Sequence, residues 1–297
     1  MPRLKLSVLL TSATLCFCFL PSPVKAQTQA SCTFSFFKLA VNIPGLGPGF
    51  IAPSGVNDFG TVVGAAIPSN DQSSPDQVAF IRWANGGFSF PLGTGNPSGL
   101  VHRNSQAISI GNFGGVPILL KGTARMDIDF TGLGSQVVSV NGVTGINRWG
   151  SIVGSYNTSS AVIGFKRWSN GSFSKFRFPG SNSTFPTGIN DSGAVVGSYF
   201  VGPPGVQLPQ NGFIYHNGQW ATLNYPGALF TNLVGISNAG MIVGNATDTV
   251  GGFLYENGVF KPISTPSGSP TTVMDISPTK GLILGTDNSG AFIAKCH

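Results

Sequence analysis

The ten residues GINDSGAVVG at 188–197 are written several times over in this chain. They recur as GVNDFGTVVG at 55–64, GINRWGSIVG at 145–154 and GISNAGMIVG at 235–244, with a worn copy, DISPTKGLILG, at 275–285. The starts lie 90, 43, 47 and 40 residues apart. The first gap is two units long, so a degenerate copy is expected near Gly99, where GLVHRNSQAIS stands. Self-similarity at this period restricts the chain to repeat architectures, in which each unit is one supersecondary element that buries its face against its neighbours.

A second motif follows the first in each unit: AFIRWANGGFSFPL from Ala79, GFKRWSNGSFSKFRFPG from Gly164, GFIYHNGQWATLNYPG from Gly212 and GFLYENGVFKPIS from Gly252. The degenerate unit offers VPILLKGTARMDIDFTG from Val116. An aromatic strand, an Asn-Gly turn and a second aromatic strand predict a β-hairpin. In the first motif, Asn and Asp cap their own turn and Gly supplies a positive φ. Each unit therefore reads as four short strands. Six units of four strands predict an all-β chain folded as a six-bladed β-propeller with antiparallel blades.

The chain ends extend this expectation. The last unit stops at GAFIAKCH, its third strand, and a matching fourth strand, FSFFKLAVNIPG at 34–45, precedes the first full unit. The N-terminal strand is expected to complete the C-terminal blade and close the ring. That places Cys32 beside Cys296 and predicts a disulfide joining the chain ends. A loop that long gives about 5 kcal/mol in the chain-entropy treatment.

Composition agrees with short strands and tight turns: 42 Gly and 23 Phe, with only 9% charged residues and a single Glu, Glu256. Residues 1–26 stand apart. Arg3 and Lys5 precede an apolar run to Leu20, and the segment ends in VKA, the pattern of a cleaved secretory signal. The apolar run is short for a membrane span. The expected organisation is a signal at 1–26 and one propeller domain at 27–297, exported to the periplasm or exterior and monomeric. Cys16 and Cys18 leave with the signal, so Cys32 and Cys296 are the pair that remains. The mature chain carries a net charge of +3 with no basic cluster, which gives no footing for nucleic-acid binding.

The paired motifs resemble the extracellular HAF-type repeat family of bacterial exported proteins, named for a His-Ala-Phe in the third strand. The resemblance covers most of residues 50–297. It implies export and a propeller-like repeat fold, and it carries no defined activity. The His position of the name holds Val78, Ile163, Asn211, Gly251 and Gly290 here, so no role for that His carries over.

Turn lengths point to where function would sit. The first-motif turn and the Asn-Gly turn, on one face, keep nearly constant length. The link from the closing Gly of the first motif to the third-strand Phe varies from 7 to 16 residues and falls on the opposite face. Variable loops on a rigid scaffold are where binding usually lives, and the aromatics expected there are Phe185, Tyr199, Phe200, Tyr225 and Phe230. Phe80, Phe165, Phe213 and Phe253, with Trp83 and Trp168, recur in register and are expected between the blades.

Catalytic patterns are sparse. There is no GxSxG. His102, His216 and His297 have no neighbouring metal-type ligands. Asp127 and Asp129 alternate onto one side of a predicted strand, and Asp275 takes a glycine position near the axis. NDSG and TDNSG are similar to calcium loops but lack the full spacing and terminal Glu, so no cofactor is indicated. These observations lean to a binding or structural module for a glycan, cell-surface polymer or protein. The alternative is a propeller hydrolase or lyase, lactonase-like or glycan-active, with a polar channel mouth that could hold calcium.

Overall fold

The computed structural model describes residues 29–69, 77–202 and 209–296. The signal segment, His297 and parts of the loops after Ser69 and Gly202 lie outside the described residues. What is described is all-β, with 25 strands and one 3-10 turn, Thr131–Leu133. Among the described residues no helix is long and apolar enough to cross a membrane.

Each repeat unit forms an antiparallel run of four strands. The fourth unit is typical: Ser183–Ile189, Val195–Phe200, Asn211–His216 and Gln219–Thr222 pair in that order. The degenerate unit is regular too, with Ser98–Arg103, Ile108–Phe113, Val116–Lys121 and Ala124–Asp127. The last unit, Thr272–Ile276, Leu282–Asp287 and Gly290–Cys296, takes its fourth strand from the N-terminus, Cys32–Phe37. That strand pairs in register from Cys32 opposite Cys296 to Phe37 opposite Ala291, and the two cysteines form a disulfide.

Hydrogen bonding groups the strands into five sheets, which corrects the expectation of six separate four-stranded ones. Three sheets are four-stranded. One gains a fifth strand because Ala40–Ile43 folds back on the long inner strand Gly47–Val56. One has eight because a parallel bridge, Val162 to Ser183, joins the third unit to the fourth. The short loop before Val162 is fastened by Thr158, and Val162 N–H donates to Asn182 O of the next unit at 3.0 Å, so the two units touch through their backbones. The arrangement is propeller-like, with inner strands of successive units side by side.

Packing explains the motif's closing glycine. Gly64, Gly154, Gly197, Gly244 and Gly285 lie opposite Phe80, Phe165, Phe213, Phe253 and Phe292 in register. All five rings are fully buried. A Cβ on Gly154 or Gly244 would come within 2.7 Å of the ring, so the glycine is what lets the ring lie flat across its neighbour strand. The degenerate unit keeps the arrangement with Gly111 opposite Ile118.

Candidate functional site

The first-motif turn does more than reverse the chain. Asn147 Oδ1 accepts from Trp149 N and Ser151 N, closing its own turn, while Nδ2 donates to Asn190 O of the next unit at 3.1 Å. The same link runs from Asn57 to Asn104 (3.5 Å), from Asn104 to Asn147 (2.9 Å) and from Asn190 to Ser237 (3.1 Å). Asn238 N–H then donates to Pro278 O, and Asp58 of the first unit accepts from Thr279 N and Lys280 N of the last. Each buried amide thus satisfies both its donor and acceptor groups between two units. Burial opposes ionisation of Asp58, but hydrogen bonds from Thr279 N, Ser105 Oγ and Lys280 N outweigh it and hold its carboxyl below the usual value.

Two residues before each of these turn residues lies the innermost ring position. It is glycine in four units: Gly55, Gly145, Gly188 and Gly235. Inner strands crowd there. A Cβ on Gly55 would sit 2.7 Å from Val101 O, and one on Gly188 would sit 3.1 Å from Gly235 Cα. Every inner pair also shifts register just before this position, from Pro53/Gly55 through Val273/Asp275. Such bulges re-aim a side chain.

In the second and sixth units the ring position is His102 and Asp275, and these meet above Gly55, with His102 Nε2 3.1 Å from Asp275 Oδ2. Val56 N–H donates to the same oxygen at 2.9 Å, and Oδ1 accepts from Ile276 N at 2.8 Å. The two side chains are only 12% and 8% exposed. His102 Nδ1 is buried without a partner. Burial works against a charged imidazole, but the adjacent Asp275 carboxylate and its hydrogen bond outweigh burial and raise the His102 pKa. With Nε2–H directed at the carboxylate, Nδ1 is the nitrogen left to accept a proton. This is the orientation logic of a His–Asp proton-transfer pair.

Sequence reasoning missed this pair because the degenerate motif was registered from Gly99. Aligned on its asparagine, HRNSQAISIG at 102–111 runs beside GINDSGAVVG without a gap and keeps the turn Asn104 and the closing Gly111, with starts 47 residues after Gly55 and 43 before Gly145. That register puts His102 in the glycine column. It also puts Ala107 where the other units have a turn glycine, and Ala107 does take a positive φ of 62°.

The aromatics expected on the variable-loop face are mostly packed. Tyr199 is buried, stacked on Phe178, and its hydroxyl lies 2.9 Å from Thr222 Oγ1. Tyr225 is buried against Phe253 and Phe260. Phe185 and Phe200 meet edge to face, both half-buried, as is Phe230. Trp83 and Trp168, expected between blades, are instead exposed at the ends of their strands, on the constant-turn face. Phe59 and Trp149 join them there, 67% and 59% exposed.

The other polar candidates scatter. Glu256 pairs with Lys261 at 2.8 Å. Asp127 ends its strand beside Arg125, while Asp129 lies past that strand and accepts from Thr131, so the two do not share a strand face. His216 Nε2 lies 3.3 Å from Ser192 O. Asp287 of TDNSG is taken up by Thr265, Ser267 and Ser289. Among the described residues no three His, Cys, Asp or Glu gather as a metal site. The axial position supplies two donors that bind each other, which does not fit calcium.

No family model matches the sequence, and no curated protein matches it. Solved structures do resemble it in shape. A gluconolactonase from Xanthomonas campestris superposes with a TM-score of 0.53 at 12% identity, covering 93% of this chain and 99% of that one. A second structure with the gluconolactonase description gives 0.50 at 13% identity, covering 92% and 94%. Virginiamycin B lyase from Staphylococcus aureus gives 0.47 at 9% identity, covering 89% and 99%. At such identity, what the chain shares with the two gluconolactonases is an all-β, propeller-like fold.

Proposed function

We propose that this chain is a propeller hydrolase or lyase of lactonase-like kind, and that His102 and Asp275 are its proton-transfer pair. The observation that carries this reading is the buried His–Asp contact where four other units have glycine. Asp275 holds the imidazole through Nε2, and Nδ1 is the base. In lactone opening, Nδ1 takes a proton as the water oxygen adds to the carbonyl carbon. It returns the proton to the ring oxygen as the C–O bond breaks. A buried imidazole nitrogen without a protein partner calls for water or a substrate atom as its partner.

The test is turnover of γ- and δ-lactones by residues 27–297, wild type against the double variant His102→Gly/Asp275→Gly. That variant restores the glycine of the other units. Loss of turnover in a folded double variant is expected, with the wild-type rate rising as pH passes a value above the ordinary imidazole pKa. Equal turnover in both proteins, or none in the wild type, overturns the reading.

The six units are further proposed as blades of one ring, supported by the chain of amide links from Asn57 around to the Asp58 contacts with Thr279 and Lys280. Export, a mature monomer beginning at Gln27 and membership of the HAF-type repeat proteins are proposed with it. A disulfide between the chain ends suits an oxidising compartment. Mass spectrometry of the secreted protein tests this: a mature N-terminus at Gln27 is expected, and retention of residues 1–26 counts against export by cleavage.

A further inference from the structure

Arg103 is the residue next to His102, and it is a cation without an anion. It is 94% buried, being only 6% exposed, and none of the ion pairs among the described residues includes it. Its Nη1 donates to Ser109 Oγ at 2.8 Å, and its guanidinium lies 5.5 Å from the Trp83 ring centre. Burial lowers its pKa, and no nitrogen of Arg103 is among the buried side-chain atoms without a partner, so the guanidinium's open N–H groups face the groove and not a dry core. A buried unpaired charge is costly unless something completes it.

What completes it can be read from the groove it lines. Between the first and second units, on the constant-turn face, a groove of about 520 Å³ is walled by Phe59 and Trp83, with Arg103, Asn85 and Ser105 at its edges. This volume lies within the range of small-ligand sites. Phe59 and Trp83 are exposed aromatics of the first unit on this face. The equivalent rings of the third unit carry closer cations than Arg103 on Trp83, with Lys166 Nζ 3.7 Å from Trp168 and Arg148 4.4 Å from Trp149.

We infer that this groove binds an acidic sugar, a hexuronate ring, with its carboxylate on Arg103 and its apolar ring face on Trp83 and Phe59. A guanidinium pairs with a carboxylate through two parallel hydrogen bonds. One arginine neutralises one negative charge. A phosphate would bring more charge than this site offsets, beside Asp58, which holds Ser105 at 2.8 Å. Aromatic walls suit the flat face of a sugar, and Asn85 and Ser105 are placed for its hydroxyls.

The test is calorimetric binding of methyl β-D-glucuronide against methyl β-D-glucoside, which differ at the carboxylate. Saturable binding of the glucuronide is expected, with the glucoside at least roughly tenfold weaker. Trp83→Ala should weaken the glucuronide by a similar factor, and Phe59→Ala by less. Both rings are exposed, so these variants fold even if Arg103→Met does not. Arg103→Met, if folded, should erase the preference between the two ligands. Equal affinity for both, no glucuronide binding at millimolar concentration, or indifference to Trp83→Ala overturns the assignment. Benzoate binding as tightly as the glucuronide overturns the sugar but keeps the carboxylate. Binding heat is read without turnover, so the result stands apart from the axial reaction.

Discussion

The third and fourth units and the second and sixth units follow the same four-strand plan and differ at one ring position. In the third and fourth, Gly145 and Gly188 let neighbouring backbones come into contact, with Gly145 against Thr187 O and Gly188 against Gly235 Cα. In the second and sixth, His102 and Asp275 put functional groups into that crowded space and satisfy each other across Gly55. The regular units explain the ring's construction. The irregular ones hold the buried His–Asp pair. A repeat that only needed to pack would have no reason to bury an ion pair, because small apolar residues at this ring position do the same job more cheaply.

The sharpest way to break the comparison is to remove one partner. Asp275→Ala leaves His102 buried beside no carboxylate and strips Val56 N of its acceptor. Urea denaturation should show a loss of about 3–5 kcal/mol. His102→Gly/Asp275→Gly, which makes these units like their neighbours, should recover most of that loss. A double variant as unstable as the single one would mean the ring needs the pair for its shape.

The amide links come next. Asn147→Ala removes the cap on its own turn and the bond to Asn190 O, leaving buried N–H groups of the turn unpaired. A cost of about 1–3 kcal/mol is expected. A change confined to a few tenths would show that the links follow from packing and do not hold the units together.

The pair should also titrate. A raised His102 pKa stabilises the folded protein fully at pH below the unfolded imidazole value, and this is lost as pH rises through the folded value. Wild-type urea midpoints should therefore fall as pH climbs from 6 through that range, while the double glycine variant stays flat there. Parallel curves for the two proteins would place the titration elsewhere. The smallest effect expected is at Ala107, which holds a turn position that glycine fills in its neighbours. Ala107→Gly should relieve the positive φ and raise stability by about 0.5–1 kcal/mol, since an L-residue in the left-handed region costs of that order.

Much of the fold is legible in the sequence because its determinants are local and repeated. Asn, Asp and Gly specify the first turn, Asn-Gly the second, and the alternating apolar residues between them specify strands. The pairing of the N-terminal strand with the last unit also follows, because one end lacks what the other supplies. The site was less legible. Trp83 and Trp168 share the repeat's register with the core phenylalanines, and nothing in that register separates a ring between blades from a ring beyond their edge. The axial pair was hidden differently: the degenerate motif conceals His102, and Asp275 looks like a single worn position.

By itself, then, the sequence determined the four-strand unit, its turns, the recurring buried phenylalanines and the partner cysteines, since each depends on residues within a unit or on what one terminus lacks. Only the tertiary structure decided that His102 meets Asp275, that Arg103 is buried without a carboxylate, and which aromatics face outward. Those depend on ring closure, which brings the second and sixth units together over the first, and on the small offsets between neighbouring units that no single repeat encodes.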